Sequence, residues 1–303
     1  MSRQSANPIE ATPAPVVPVP EAPEAGSGEV VTGAVIVLLG VALAAWLRRK
    51  GVLAAGWLRG RRRLPGLGWP DLLAVVGLWL VGQVVAVQAV RGLFEEAVLE
   101  RVHESAPALL VLHAGSVLPP TLWVLGRAAA TRRGLWRLGV FTRARDLWLA
   151  AKALPAAWLL ATAVMLVGSA VAWLAGQPTP RVQHDLLSVL QADGRWGTLL
   201  PIVLSAVVIA PVAEEVLTRG LFQSLLVRAL GGRSRWVAVG LASVGFAALH
   251  VGSVPPQALP GLLVLGVVFG ALYERTGSLV PGILVHAAFN ALNVGLVVAG
   301  AAG

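Results

Sequence analysis

The chain has 303 residues, of which 56% are hydrophobic and only 13% charged, about half the charged share of an average soluble domain, roughly 25%. With a mean hydropathy of +0.76, this composition excludes an ordinary soluble fold, and the absence of cysteine excludes disulfides, thiolate metal sites and cysteine nucleophiles. The net charge of +9 comes from short basic runs at the ends of apolar segments, which mark membrane topology, so no nucleic-acid partner is expected.

Residues 1–29 hold six prolines and four glutamates without a long apolar run, and read as a disordered Pro-rich tail. Apolar stretches near the length needed to cross a bilayer, about 17–25 residues, follow at 30–47, 71–91, 106–126, 154–176, 199–227, 236–250, 259–273 and 279–298. The expectation is an all-α, polytopic bundle of about eight transmembrane helices, with N-terminal helices over 30–178 and a catalytic unit over 199–298. Pro119, Pro120, Pro155 and Pro201 imply kinks or late helix starts. Basic residues divide unequally between the two sides. Arg48, Arg49, Lys50, Arg59, Arg61, Arg62, Arg63, Arg127, Arg132, Arg133, Arg137, Arg143, Arg145, Arg228, Arg233, Arg235 and Arg275 share one side, against Arg3, Arg91, Arg101, Arg181 and Arg195 on the other. The positive-inside rule puts the larger set in the cytoplasm and both termini outside, in a multi-pass protein of the plasma (cytoplasmic) membrane.

Within the apolar segments a few polar residues stand out. Glu214 and Glu215 are adjacent in the fifth, where each ionised carboxylate costs about 2.5–3.5 kcal/mol or more. Arg219 lies four residues after Glu215, the spacing at which the two pair on a helix face. Such a pair accounts for Glu215 and Arg219 but leaves Glu214 over. His113, His250 and His286 are also at membrane depth. His113, alone on its span, reads as a hydrogen-bonded packing residue. His286 is followed four residues on by Asn290, and Phe246 precedes His250 by the same step. Counted from the nearest cytoplasmic arginine, Glu214, His250 and His286 lie about 21, 22 and 17 Å deep, so three helices bring them to a common level.

These residues, so spaced, resemble the CPBP family, which includes CAAX prenyl endopeptidases and bacterial Abi proteins. Its EExxxR motif is matched by Glu214, Glu215 and Arg219, its FxxxH by Phe246 and His250, and its HxxxN by His286 and Asn290. The glycine-rich span with Gly266, Gly270 and Tyr273 is similar too. The resemblance covers residues 214–290 and implies an intramembrane endopeptidase whose substrate is a peptide or protein in contact with membrane lipid. In some members that substrate is prenylated; others are linked to peptide maturation or bacteriocin self-immunity.

Peptide hydrolysis needs an activated water, oxyanion stabilisation and a proton for the leaving amine. A carboxylate withdrawn from water is a stronger base, which suits Glu214. His250 can share the water, while His286 and Asn290 are donors suited to an oxyanion; the resemblance implies the same allocation. A metal version stays open, in which Glu214, His250 and His286 bind one divalent ion, zinc before others, and Glu215 is the base. The cofactor is therefore either none or one divalent metal. Gly266 and Gly270 have the spacing of close helix packing. Two other readings compete: a proton-coupled transporter with a membrane relay of Glu, His and Arg, although no internal repeat is found, and a catalytically silent immunity or scaffold protein.

Overall fold

The computed structural model describes residues 27–52, 54, 56–58, 64–177, 189–190, 196–232 and 234–301. Residues 1–26 of the tail read over 1–29, and the basic residues Arg59, Arg61, Arg62, Arg63, Arg181, Arg195 and Arg233, lie outside them. The described chain is all helix apart from turns and one isolated bridge between Val251 and Val254. In chain order the helices are α1 Ser27–Arg49, α2 Trp69–Leu93, the short α3 Glu96–Glu100, α4 Ala106–Ala129, the short α5 Gly134–Leu138, α6 Ala144–Leu174, α7 Trp196–Ala229, α8 Arg235–Ala248, α9 Leu259–Thr276 and α10 Val280–Ala301.

Seven of these are long and apolar enough to cross a membrane, and the chain is a multi-pass membrane protein. The sixth expected span, 236–250, is the 14-residue α8, about 21 Å long and too short to cross alone. It ends where Gly252 adopts a left-handed φ of 93°, just before the Pro255–Pro256 pair. Other boundaries also shift. Helix α1 begins at Ser27 rather than Val30, and α6 begins ten residues before the expected 154. The expected late starts do not occur at Pro119, Pro120, Pro155 or Pro201, because each lies inside a helix.

With no hydrophobic drive between helices in lipid, close packing depends on small residues. Helices α2 and α4 meet at Gly82 and Gly115, where an added Cβ on Gly82 would stand 2.4 Å from the Gly115 carbonyl. Helix α6 turns Ala150, Ala157 and Ala161 toward a core shared with Phe246, Leu265, Phe269 and Val285. The turn after α5 fastens the N-terminal helices to the C-terminal ones: Tyr273 Oη donates to the Leu138 carbonyl at 2.9 Å, and the Leu279 N–H donates to the Gly139 carbonyl at 2.8 Å.

One face of the bundle gathers the basic helix ends. Arg127, at the end of α4, pairs with Asp71 at the start of α2 (3.0 Å). Arg228 donates to the carbonyls of Pro65 (2.6 Å) and Leu67 (2.7 Å). Arg235 pairs with the buried Glu274, which also accepts from Gln223 Nε2 at 2.9 Å. Arg275 reaches the Trp57 carbonyl at 2.9 Å. These contacts place the ends of α4, α7 and α9 and the starts of α2 and α8 on the same side.

Candidate active site

Helix α7 carries the two carboxylates. It departs twice from α-helical register, into π-helix over Leu204–Ile209 and Val216–Gln223, with Glu214 and Glu215 in the α-helical stretch between. π-Bulges of this kind recur at functional sites because the extra residue re-aims side chains. Glu215 is 1% exposed, and its Oε1 lies 3.4 Å from the guanidinium of the fully buried Arg219. Arg219 donates to the Gly266 carbonyl at 3.1 Å and to the Thr218 hydroxyl. Its guanidinium also lies over the rings of Phe246 (4.5 Å) and Phe269 (5.5 Å). A buried cation needs this many partners to offset its desolvation.

Glu214 has a different environment. Its side chain is 19% exposed, and its Oε2 stands 3.9 Å from both His250 Nε2 and His286 Nε2. That oxygen is itself buried and accepts no hydrogen bond among the described residues. His250 sits in the turn that ends α8, with its Nδ1 2.9 Å from the Phe246 carbonyl. A carbonyl only accepts, so Nδ1 carries the proton and neutral His250 presents a lone pair at Nε2. His286, on α10, turns its Nδ1 to Glu215 Oε1 at 3.5 Å. It therefore stands between the two glutamates. Phe246 is the common wall, 5.0 Å from the His250 ring and 5.8 Å from that of His286.

The structure thus draws Glu214, Glu215, Arg219, Phe246, His250 and His286 into one cluster. Asn290 is on the same helix as His286, but its Nδ2 donates to the Ala206 carbonyl of α7 at 2.7 Å, and no hydrogen bond joins it to Glu214 or to either histidine among the described residues.

Other members of the cluster escaped the sequence reading. Phe269 stacks on His286, with centroids 4.8 Å apart and planes 18° from parallel; its position between Gly266 and Gly270 was the available signal. Those glycines serve packing: a Cβ on Gly266 would come within 2.9 Å of Ser243 Cβ, and one on Gly270 within 2.6 Å of Gln223 Oε1. Gly282 leaves room for a carboxylate, since its Cβ would stand 3.1 Å from Glu215 Oε2. His113 is hydrogen-bonded, as its reading supposed: its Nδ1 lies 2.6 Å from the buried Ser205 hydroxyl, next to Ala206.

Glu214 Oε2 and the two Nε2 atoms are also the donor set a catalytic zinc would use. Tetrahedral zinc, bonded at about 2.0–2.2 Å, holds its ligands roughly 3.4 Å apart. The two 3.9 Å separations would have to close by about half an ångström to suit it. One water at roughly 2.8 Å from both atoms of a pair would see them about 90° apart, tighter than its own tetrahedral angle, so the separations lie between those ideal for the ion and those ideal for water.

Residues 196–292, which run from α7 into α10 and contain every residue of this cluster except His113, match the model of a family described as type II CAAX prenyl endopeptidase Rce1-like. No curated protein and no solved structure matches the chain.

Proposed function

We propose, from the premise that this chain belongs through residues 196–292 to the Rce1-like family of CAAX proteases, that it is an intramembrane endopeptidase in which Glu214 activates the hydrolytic water. The observation that carries this reading is the buried, unbonded Glu214 Oε2, equidistant at 3.9 Å from two imidazole Nε2 atoms. A water held by the three loses a proton to Glu214 while the Nε2 lone pair of His250 orients it. Its oxygen attacks the scissile carbonyl carbon. His286, when protonated at both nitrogens, points Nδ1–H at Glu215 and hydrogen-bonds the developing oxyanion through Nε2–H without losing either proton, and the second amide N–H of Asn290 is a further donor. The proton on Glu214 then passes to the leaving amine as the C–N bond breaks, which balances the reaction. Glu215 and Arg219 hold His286 in place.

The site opens toward the side that carries the basic helix ends, the cytoplasmic side by the positive-inside rule, in the plasma membrane. The substrate class is a membrane-associated peptide or protein ending in a prenylated cysteine and three further residues. A divalent ion, if one binds, is held by Glu214, His250 and His286 and supplies a more acidic water.

The experiment uses a quenched fluorescent peptide with a farnesylated cysteine three residues from its end, and an unprenylated twin. Inside-out membrane vesicles cut the farnesylated probe and right-side-out vesicles do not, with turnover unchanged by chelator. Cleavage of neither probe contradicts the function, cleavage of both alike contradicts prenyl recognition, and stoichiometric zinc that tracks activity removes Glu214 from the role of base.

A further inference from the structure

His113 comes from α4, outside the segment matched to the family. Its Nδ1 lies 2.6 Å from the hydroxyl of Ser205, which is buried. Ser205 belongs to the first π-helical stretch of α7. Its carbonyl accepts from the N–H of Ala210, five residues on. By the same pattern the carbonyl of Ala206 would accept from residue 211. That residue is Pro211, which has no N–H. A carbonyl orphaned inside a bundle needs a donor, and Asn290 Nδ2 is that donor, at 2.7 Å. His113 from α4 and Asn290 from α10 thus hold two successive residues of one π turn.

The alternative to this arrangement is definite. If the turn relaxed to α register, the Ala206 carbonyl would take the Ala210 N–H, four residues on, and Asn290 would have to share an acceptor it now holds alone. The Ser205 side chain would rotate with the turn and leave His113. The His113–Ser205 contact therefore favours the register that leaves the Ala206 carbonyl to the Asn290 amide.

We infer that His113 is a positioning residue of the active site, which grips Ser205 to keep the π register of Leu204–Ile209 and thereby fixes the Asn290 amide for the oxyanion. This rests on the role given to Asn290 above. It separates two functions of one imidazole: the contact is made by Nδ1, and Nε2 is not required.

The test is turnover of the farnesylated probe by full-length protein in proteoliposomes, with a thermal melt of every variant in one detergent. His113→Ala and Ser205→Ala each lower kcat about tenfold, a fraction of what a lost oxyanion donor costs, and leave KM within about twofold. His113→Asn, whose amide falls near the place of Nδ1, restores the rate; His113→Gln, whose amide falls near Nε2, does not. In an Asn290→Ala background, His113→Ala causes no further loss, because the two act through one group. Independent, multiplying losses in the double variant overturn the inference, as does rescue by Gln and not Asn. A native rate in Asn290→Ala alone overturns the role of Asn290 itself and is distinguishable from either. If a His113 variant fails to fold, Ser205→Ala combined with Asn290→Ala carries the same cycle.

Discussion

Helices α1 and α9 are both apolar enough to cross a membrane, yet they meet opposite surroundings. Only 6% of the most apolar window of α1 is buried within the protein, against 50% for α9. The more apolar helix is the one left to lipid, with Leu38 and Val41 exposed along it. Helix α9 instead contributes Gly266, Phe269, Gly270 and Glu274 to contacts with α7, α8 and α10. In water, apolarity marks the interior. In a bilayer it marks the lipid face, and the interior is marked by small and polar residues that have no other place to be satisfied.

That contrast can be broken by substitution. The largest effect is expected at Arg219, the ion at the centre of the C-terminal helices. Arg219→Met leaves Glu215 an unpaired buried charge and lowers stability by about 3–5 kcal/mol, read as an early melt in detergent. A native melt would show that Glu215 and Arg219 do not depend on one another. A smaller effect separates two glycines. Gly270→Val drives a methyl toward Gln223 and Val239 and costs about 1–3 kcal/mol. Gly33→Val, in α1, meets nothing within 4 Å and shifts the melt by less than about 0.5 kcal/mol. Equal losses at the two positions would erase the distinction between a lipid-facing and a packed helix.

The sequence made the membrane class and the common depth of Glu214, His250 and His286 legible, because hydropathy and helical rise are local quantities. It made Glu215 and Arg219 legible as a pair through their spacing. What it concealed was non-local or irregular. The end of α8 depends on Gly252 and a proline pair, which hydropathy does not weigh. The two π-helical stretches of α7 left no trace in the i,i+4 spacings of the sequence. Arg219 pairs with Glu215, and no ion pair between Arg219 and Glu214 is present among the described residues. His113 had no partner within its own span to give it away; Ser205 is 92 residues distant.

The central claim is that adjacent carboxylates on one helix have separate tasks, Glu214 toward the water and Glu215 toward Arg219 and His286. The most direct measurement is a side-by-side melt and turnover assay of Glu214→Gln and Glu215→Gln in one detergent with the farnesylated probe. The account predicts that Glu214→Gln melts with the native protein and has no turnover. It predicts that Glu215→Gln melts early, since Arg219 is left an unpaired buried charge, and that its activity falls with the folded fraction. Full turnover in Glu214→Gln, or a native melt with dead chemistry in Glu215→Gln, would contradict it.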